Sequence, residues 1–81
     1  MHYVYILKSL KVPTQSYVGL TKDLNRRLLE HANVSKNHHT YRYAPWKLET
    51  YIVFNDLQKA KSLESYLKTG SGRAFLKKHL V

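Results

Sequence analysis

A short run near the N-terminus, residues 3–7, is apolar or aromatic at every position. In a β-strand its odd-numbered side chains face one side of the sheet, while Val4 and Ile6 face the other side. A strand with one face in water alternates apolar and polar residues, whereas a strand that is apolar on both faces is typical of a sheet covered on both sides. The rest of the chain must therefore supply the elements that cover this strand.

The chain has 81 residues, which is enough for one small domain spanning residues 1–81. A chain of this length buries roughly 60–65% of the surface that its unfolded form exposes. Any catalytic site must therefore be built on the elements that also make the core. The sequence contains no cysteine, which excludes disulfides, thiolate nucleophiles and cysteine-based zinc or iron–sulfur sites.

Basic residues outnumber acidic ones, with 14 Lys and Arg against 5 Asp and Glu, so the formal net charge is +9. Hydrophobic residues make up 43% of the chain, which is too many for a disordered basic tail, so the charge lies on a folded surface that attracts polyanions. We expect nucleic acid as the partner, with an acidic membrane surface as the second choice. The run 3–7 is too short for a signal peptide or a membrane span, and we expect a soluble, cytoplasmic protein.

Changes in hydrophobic period divide the chain into six elements in the order β-β-α-β-α-α. Residues 2–8 and 16–20 are rich in Tyr, Val, Ile and Leu, and the loop between them contains Pro13. This pattern predicts a β-hairpin. Residues 46–54 alternate again, which predicts a third strand.

Three helices account for the remaining periodic segments. Thr21 or Asp23 caps the first, which runs to about residue 33. The second spans residues 57–69, with Gly70 predicted as the residue that follows its C-terminus. Ser71 caps a short last helix through about residue 79. This last helix is predicted to present three apolar side chains to the core: Phe75, Leu76 and Leu80.

The apolar stripe of the first predicted helix contains two polar residues. Arg27 and His31 share one face with Leu24 and Leu28, at the spacing of successive helical turns. A guanidinium on an inward face keeps its charge, and its planar fork suits a phosphate as well as a carboxylate. A single histidine in such a place is more often a hydrogen-bonded core residue than a catalytic group.

Glu64 interrupts the stripe of the second predicted helix, four residues after Ala60 and three before Leu67. Burying an unpaired carboxylate costs several kcal/mol, so Glu64 needs a cationic partner. An ion pair with Arg27 or a nearby Lys is the simpler interpretation, and a bound metal ion is the functional one.

Tyr5 and Tyr17 lie on opposite strands of the predicted hairpin and can approach each other. Most such tyrosines are packing residues. However, a phenol near an arginine can act as a general base or proton relay if the positive charge lowers its pKa. Gly19 lies in a strand where no turn is needed, which indicates a close approach of its backbone to another group.

These residues together resemble the GIY-YIG endonuclease family. Residues 3–5, Tyr-Val-Tyr, resemble the first half-motif, with Tyr3 where the family usually has Gly, and residues 17–19, Tyr-Val-Gly, resemble the second. Residues 64–76 look like the corresponding stretch of the small bacterial stand-alone members. The following residues match the family in spacing after the half-motifs: Thr21, Leu24, Arg27, His31 and Glu64.

The resemblance implies an α+β fold, a three-stranded antiparallel sheet flanked by helices. It also implies hydrolysis of DNA phosphodiesters with one Mg²⁺ or Mn²⁺ ion, leaving 5′-phosphate and 3′-hydroxyl ends, as in DNA repair or recombination. By position, Tyr5 or Tyr17 would be the general base or its relay, and Arg27 would hold the scissile phosphate. His31 would orient a tyrosine or contact the phosphate, and Glu64 would bind the metal.

The segment between the first helix and the third strand is basic and aromatic without a period. We expect it to contact the nucleic-acid backbone and stack on unpaired bases, with a solvated loop as the alternative. Branched or single-stranded DNA is the expected substrate and RNA stays open. A non-cleaving nucleic-acid-binding module of the same fold is the second function considered. The predicted backbone contacts are Lys36, His38, His39 and Arg42.

Overall fold

A computed structural model of the chain describes residues 1–32 and 39–81. The helices and strands follow the predicted order β-β-α-β-α-α, with one short 3-10 helix, His39–Tyr43, before the third strand. The predicted bounds agree with the observed ones to within two residues. The elements are β1 (His2–Ser9), β2 (Ser16–Thr21), α1 (Leu24–Ala32), β3 (Trp46–Phe54), α2 (Leu57–Leu67) and α3 (Gly70–His79).

The three strands form one antiparallel sheet in the order β2-β1-β3, as expected from the sequence. The central strand β1 pairs Tyr5 with Gly19 on one side and with Tyr51 on the other. Its register with β3 shifts between Ile6 and Leu7. Strand β2 is consequently an edge of the sheet, and β1 is covered on both faces as predicted.

One face of the sheet packs against α2 and α3. Val4 and Ile6 from β1 contact Ala60 and Leu67 of α2 and Leu76 of α3, and all five are at most 2% exposed. Burial of a side chain of this size contributes about 1.5–3 kcal/mol. This aliphatic cluster is the main source of hydrophobic stability.

The opposite face carries Tyr5 and Leu7, which are each 1% exposed. Helix α1 contributes the buried His31 to this side, whereas Tyr51 is 49% exposed. On this face, the side chains in the middle of β1 are therefore buried, whereas Tyr51 of β3 is exposed. Among the described residues, no helix is long and apolar enough to cross a membrane.

The corner between α2 and α3 differs from the prediction. Helix α2 ends at Leu67, and Gly70 begins α3 instead of following α2. Thr69, rather than Ser71, is the N-cap, because its hydroxyl accepts a hydrogen bond from the Gly72 amide at 3.1 Å. Lys68 continues in a right-handed helical conformation, so the chain needs no left-handed glycine at this turn.

Gly72 is the glycine that the corner requires, because a Cβ atom there would collide with the backbone carbonyl of Tyr66. The prediction that Phe75 enters the core is wrong. Phe75 is 41% exposed and packs on the surface between Tyr66 and His79. The next residue, Leu76, is buried in the core, as predicted.

Candidate active site

Two tyrosines and one histidine meet on the face of the sheet opposite α2 and α3. The Tyr5 hydroxyl lies 3.0 Å from Nε2 of His31 in a buried hydrogen bond. The Tyr17 ring contacts both, with centroid separations of 4.8 Å to His31 and 6.1 Å to Tyr5. The hairpin and α1 thus bring together three of the five residues predicted to be catalytic.

Gly19 makes room for this cluster. It pairs with Tyr5 across the two strands, and a Cβ atom at Gly19 would overlap the hydroxyl end of the Tyr5 ring. The close approach predicted for Gly19 is confirmed, and the group that approaches is Tyr5. Sterics at one residue of β2 therefore determine where the Tyr5 hydroxyl can lie.

Burial raises the pKa of Tyr5 above its usual value, and the neighbouring Tyr17 raises it further. The positive charge of Arg27 acts in the opposite direction but is outweighed. An arginine therefore lies close enough to influence Tyr5, as predicted, yet the phenol keeps its proton at neutral pH. It can donate that proton to Nε2 of His31 when this nitrogen is unprotonated.

Arg27 has a different neighbour from the one considered in the sequence. Its Nε lies 3.5 Å from Oε2 of Glu30, one turn along α1, and the Arg27 side chain is 42% exposed. The pair between Arg27 and Glu64 is therefore not formed. Arg27 lies beside a cavity of about 330 Å³ at the start of α1, where Lys22 and Arg26 add two further cationic side chains.

Glu64 pairs with a lysine on its own helix. Oε2 of Glu64 lies 3.1 Å from Nζ of Lys68, and the Glu64 side chain is 23% exposed. The simpler alternative, an ion pair with a nearby Lys, is the arrangement observed. The side chain is half-buried and reaches solvent, so the cost expected for a fully buried carboxylate is reduced.

A cavity of about 180 Å³ connects Tyr17 to the Glu64 region. Tyr17 lines it from β2, and Lys68, the ion-pair partner of Glu64, lines it from α2, with Arg73 from α3. The structure therefore brings Tyr5, Tyr17 and His31 into contact, and Arg27 lies near enough for its charge to act on Tyr5. Lys68, the partner of Glu64, lines the same cavity as Tyr17. The catalytic roles of these residues stay predictions.

The predicted nucleic-acid contacts lie within or just after residues 33–38, which are outside the described residues. Lys36 and His38 lie outside the described residues, and His39 is described only as the first residue of the 3-10 helix. Arg42 is exposed, with its guanidinium 5.9 Å from the centroid of the Tyr43 ring. Next to it, the exposed Tyr41 lines a cavity of about 320 Å³ together with His31.

Three residues around this site were not named from the sequence: Ser9, Glu30 and Lys68. Ser9 is buried, donates to the carbonyl of Tyr43 and accepts from the amide of Val12 at 2.9 Å, which ties the hairpin loop to the 3-10 helix. No periodicity signals such a contact. In contrast, Glu30 and Lys68 lie three and four residues after Arg27 and Glu64, and this helical spacing could have identified both partners.

Comparisons with known proteins show the family and the fold. A family model described as the GIY-YIG catalytic domain matches residues 1–78. The chain is 35% identical over 68 residues to a UPF0213 protein of Clostridium perfringens, covering 84% of this chain and 71% of the relative. The solution structure of a UPF0213 protein from Bacillus halodurans superimposes with a TM-score of 0.57 at 26% identity, covering 95% of this chain and 82% of the other.

Proposed function

This chain belongs to the GIY-YIG family, and on that premise we propose that it is a metal-dependent endonuclease acting on DNA. Water would attack the phosphorus atom of a phosphodiester, the bond to the 3′ oxygen would break, and 5′-phosphate and 3′-hydroxyl ends would result. The observation that supports this most directly is the Tyr5–His31–Tyr17 cluster beside Arg27. We expect the protein to act in the cytoplasm.

We assign the proton-accepting role to Tyr17 and a positioning role to Tyr5. Tyr5 is 1% exposed and has a raised pKa, so loss of its proton is unfavourable. Tyr17 is half-buried and lines a cavity that a phosphate or water can enter. His31 contacts both rings, so Tyr5 can fix the imidazole while Tyr17 takes the proton of the attacking water.

Arg27 would hold the phosphate that is attacked. Its ion pair with Glu30 involves two side chains that are 42% and 46% exposed. Exposed pairs of this kind contribute only about 0.2–1 kcal/mol. A phosphate that makes two parallel hydrogen bonds to the guanidinium can replace Glu30 at little cost.

The donor set suits Mg²⁺ or Mn²⁺ better than zinc. Residues 1–32 and 39–81 contain no group of three or more side chains of the metal-binding type, which a closed zinc site needs. Mg²⁺ is commonly bound through one or two carboxylates together with substrate phosphates and water. Glu64, half-buried and reaching solvent, would hold such an ion, which stabilises charge on the leaving oxygen when bound.

The second candidate is a nucleic-acid-binding module that does not cut. The ion pair between Glu64 and Lys68 favours it, because a carboxylate that already has a cation needs a metal less. The net charge of +9 serves binding equally well in both cases. Branched DNA, single-stranded DNA and RNA are the nucleic acids to test for either function.

Cleavage of supercoiled plasmid, branched DNA and single-stranded RNA, with Mg²⁺ or Mn²⁺ and with EDTA, distinguishes the two functions. Glu49→Gln is a matched control for Glu64→Gln, since both glutamates pair with a lysine and their side chains are 25% and 23% exposed. We expect metal-dependent cleavage by the wild type and by Glu49→Gln, and none by Glu64→Gln. Cleavage by Glu64→Gln at the wild-type rate, or none by the wild type on any substrate, would refute the endonuclease.

A further inference from the structure

The 180 Å³ cavity between β2 and the corner of α2 and α3 has the character of an anion site. Its two charged lining residues among those described, Lys68 and Arg73, are both cationic. A volume of this size corresponds to about six water molecules at 30 Å³ each and admits a phosphate group. Ser16, Tyr17 and Val18 line the cavity from the β2 side.

The corner that carries the two cations is held in place by the chain itself. Nε of Arg73 donates to the carbonyl of Lys68 at 3.4 Å. The hydroxyl of Thr69 donates to the carbonyl of Tyr66 at 2.6 Å and accepts from the amide of Gly72 at 3.1 Å. Nζ of Lys68 lies 3.1 Å from Oε2 of Glu64, so both cations are arranged before any ligand binds, which lowers the entropy cost of binding.

A second basic cavity lies at the other end of the same edge strand. It includes Thr21 at the end of β2 and has three cationic lining residues, Lys22, Arg26 and Arg27, against one acidic residue, Asp23. Thr21 lies three positions after Val18 and five after Ser16, which both line the first cavity, and these spacings correspond to about 10–17 Å of strand. At an axial rise of about 3.4 Å per nucleotide in one DNA strand, about three to five nucleotides span this distance.

We propose that the nucleic-acid strand to be cut lies along β2, with one backbone phosphate bound by Lys68 and Arg73 within about five nucleotides of the phosphate bound by Arg27. This inference rests on the proposed function through the role of Arg27. Tyr17 lies on β2 among the residues that line the first cavity. A backbone held at both cavities along this edge strand would therefore pass beside the proposed proton acceptor.

Binding in EDTA tests the proposal without cleavage. The double variant Lys68→Gln/Arg73→Gln is compared with Lys59→Gln/Lys61→Gln, which removes the same charge from exposed positions of α2. Fluorescence anisotropy with a short single-stranded oligonucleotide over a salt series gives the slope of log K against log salt. We expect Lys68→Gln/Arg73→Gln to flatten the slope by about 0.7 for one lost phosphate contact, and the control to keep the wild-type slope. Equal slopes for both double variants would overturn the site.

Oligonucleotides with a single neutral methylphosphonate locate the phosphate. Neutralising one position should weaken binding to the wild type and to the control but not to Lys68→Gln/Arg73→Gln. Arg27→Gln should remove the effect of neutralising a second position, and this position should lie within about five nucleotides of the first. No coupled position, or two positions farther apart, would overturn the track along β2, provided that the variants unfold at the wild-type temperature. If the two methylphosphonate positions are found but the protein does not cleave nucleic acid, the binding site is supported and the endonuclease function is refuted.

Discussion

The two faces of β1 are built from one alternating run, yet they meet different partners. Val4 and Ile6 pack against aliphatic side chains of α2 and α3. Tyr5, between them in sequence, meets His31, Tyr17 and the backbone of Gly19. The first face supplies non-directional hydrophobic stability, and the second supplies directional contacts that position a hydroxyl. A change on one face should therefore alter stability, and a change on the other should alter chemistry.

The largest expected effect is on the face of β1 that carries Tyr5, called the chemical face below. Tyr17→Phe removes the proposed proton acceptor and should lower the cleavage rate by about 10²–10⁴-fold, the range for loss of a general acid or base. Thermal unfolding should change little, because the half-buried ring and its packing are kept. Tyr66→Phe, at a phenol that is 43% exposed, is the control. If Tyr17→Phe cleaves at a rate within a few-fold of the wild type, Tyr17 is not the proton acceptor.

The aliphatic face should respond in stability. Leu67 is 1% exposed, and Leu67→Ala should lower the free energy of unfolding by about 2–5 kcal/mol through lost burial and a cavity. Leu29→Ala, at a side chain 65% exposed, should stay within about 0.5 kcal/mol of the wild type. Urea denaturation measures both, and a similar midpoint for the two variants would contradict the assignment of the core to this face.

Gly19→Ala brings a steric change to the chemical face. The added Cβ overlaps the buried Tyr5 ring, and accommodating it should cost about 1–3 kcal/mol and displace the hydroxyl from His31. Gly70→Ala is matched, because its Cβ meets nothing within 4 Å. We expect Gly19→Ala, but not Gly70→Ala, to lower both the free energy of unfolding in a denaturation assay and the rate in a cleavage assay. Wild-type stability in Gly19→Ala would show that the ring moves freely.

Tyr5→Phe keeps the ring and removes the hydrogen bond to His31, at a cost of about 1 kcal/mol near pH 7. The pKa of Tyr5 is raised in the folded state, so its stabilising contribution is complete below the unfolded pKa near 10 and is lost as pH rises towards the folded value. The wild type should therefore lose stability above about pH 10 more steeply than Tyr5→Phe. Parallel pH profiles of the unfolding free energy, with Tyr66→Phe as control, would contradict the raised pKa.

The smallest effect concerns the metal. Lys68→Gln removes the cation that pairs with Glu64, and the affinity of the free protein for Mn²⁺ should rise roughly two- to five-fold, the scale of a partly exposed ion pair. Lys59→Gln is the control for net charge. Electron paramagnetic resonance titration of Mn²⁺ measures the affinity without DNA. An unchanged affinity in Lys68→Gln would show that Lys68 and the metal do not compete for Glu64.

Local patterns were sufficient for the order of elements and for Gly19. Alternation along β1 and β3 and the stripe of α1 each depend on residues close in sequence. Gly19 was recognisable because a glycine inside a strand indicates a close neighbour. The α2–α3 corner was predicted less well, since Thr69, Gly70 and Ser71 are all credible at a helix boundary and only the Thr69 hydrogen bonds separate them.

The sequence by itself determined that the chain forms a small basic α+β domain of the GIY-YIG family, because periodicity, charge and motif spacing are properties of the chain order. The tertiary structure decided that Arg27 and Glu64 do not pair with each other, so each pairs with a residue one turn along its own helix, Glu30 and Lys68. It also decided that the pKa of Tyr5 rises, although an arginine is near. The desolvation of Tyr5 and the separation of Arg27 from Glu64 depend on the positions of groups that are far apart in sequence, which no local pattern encodes.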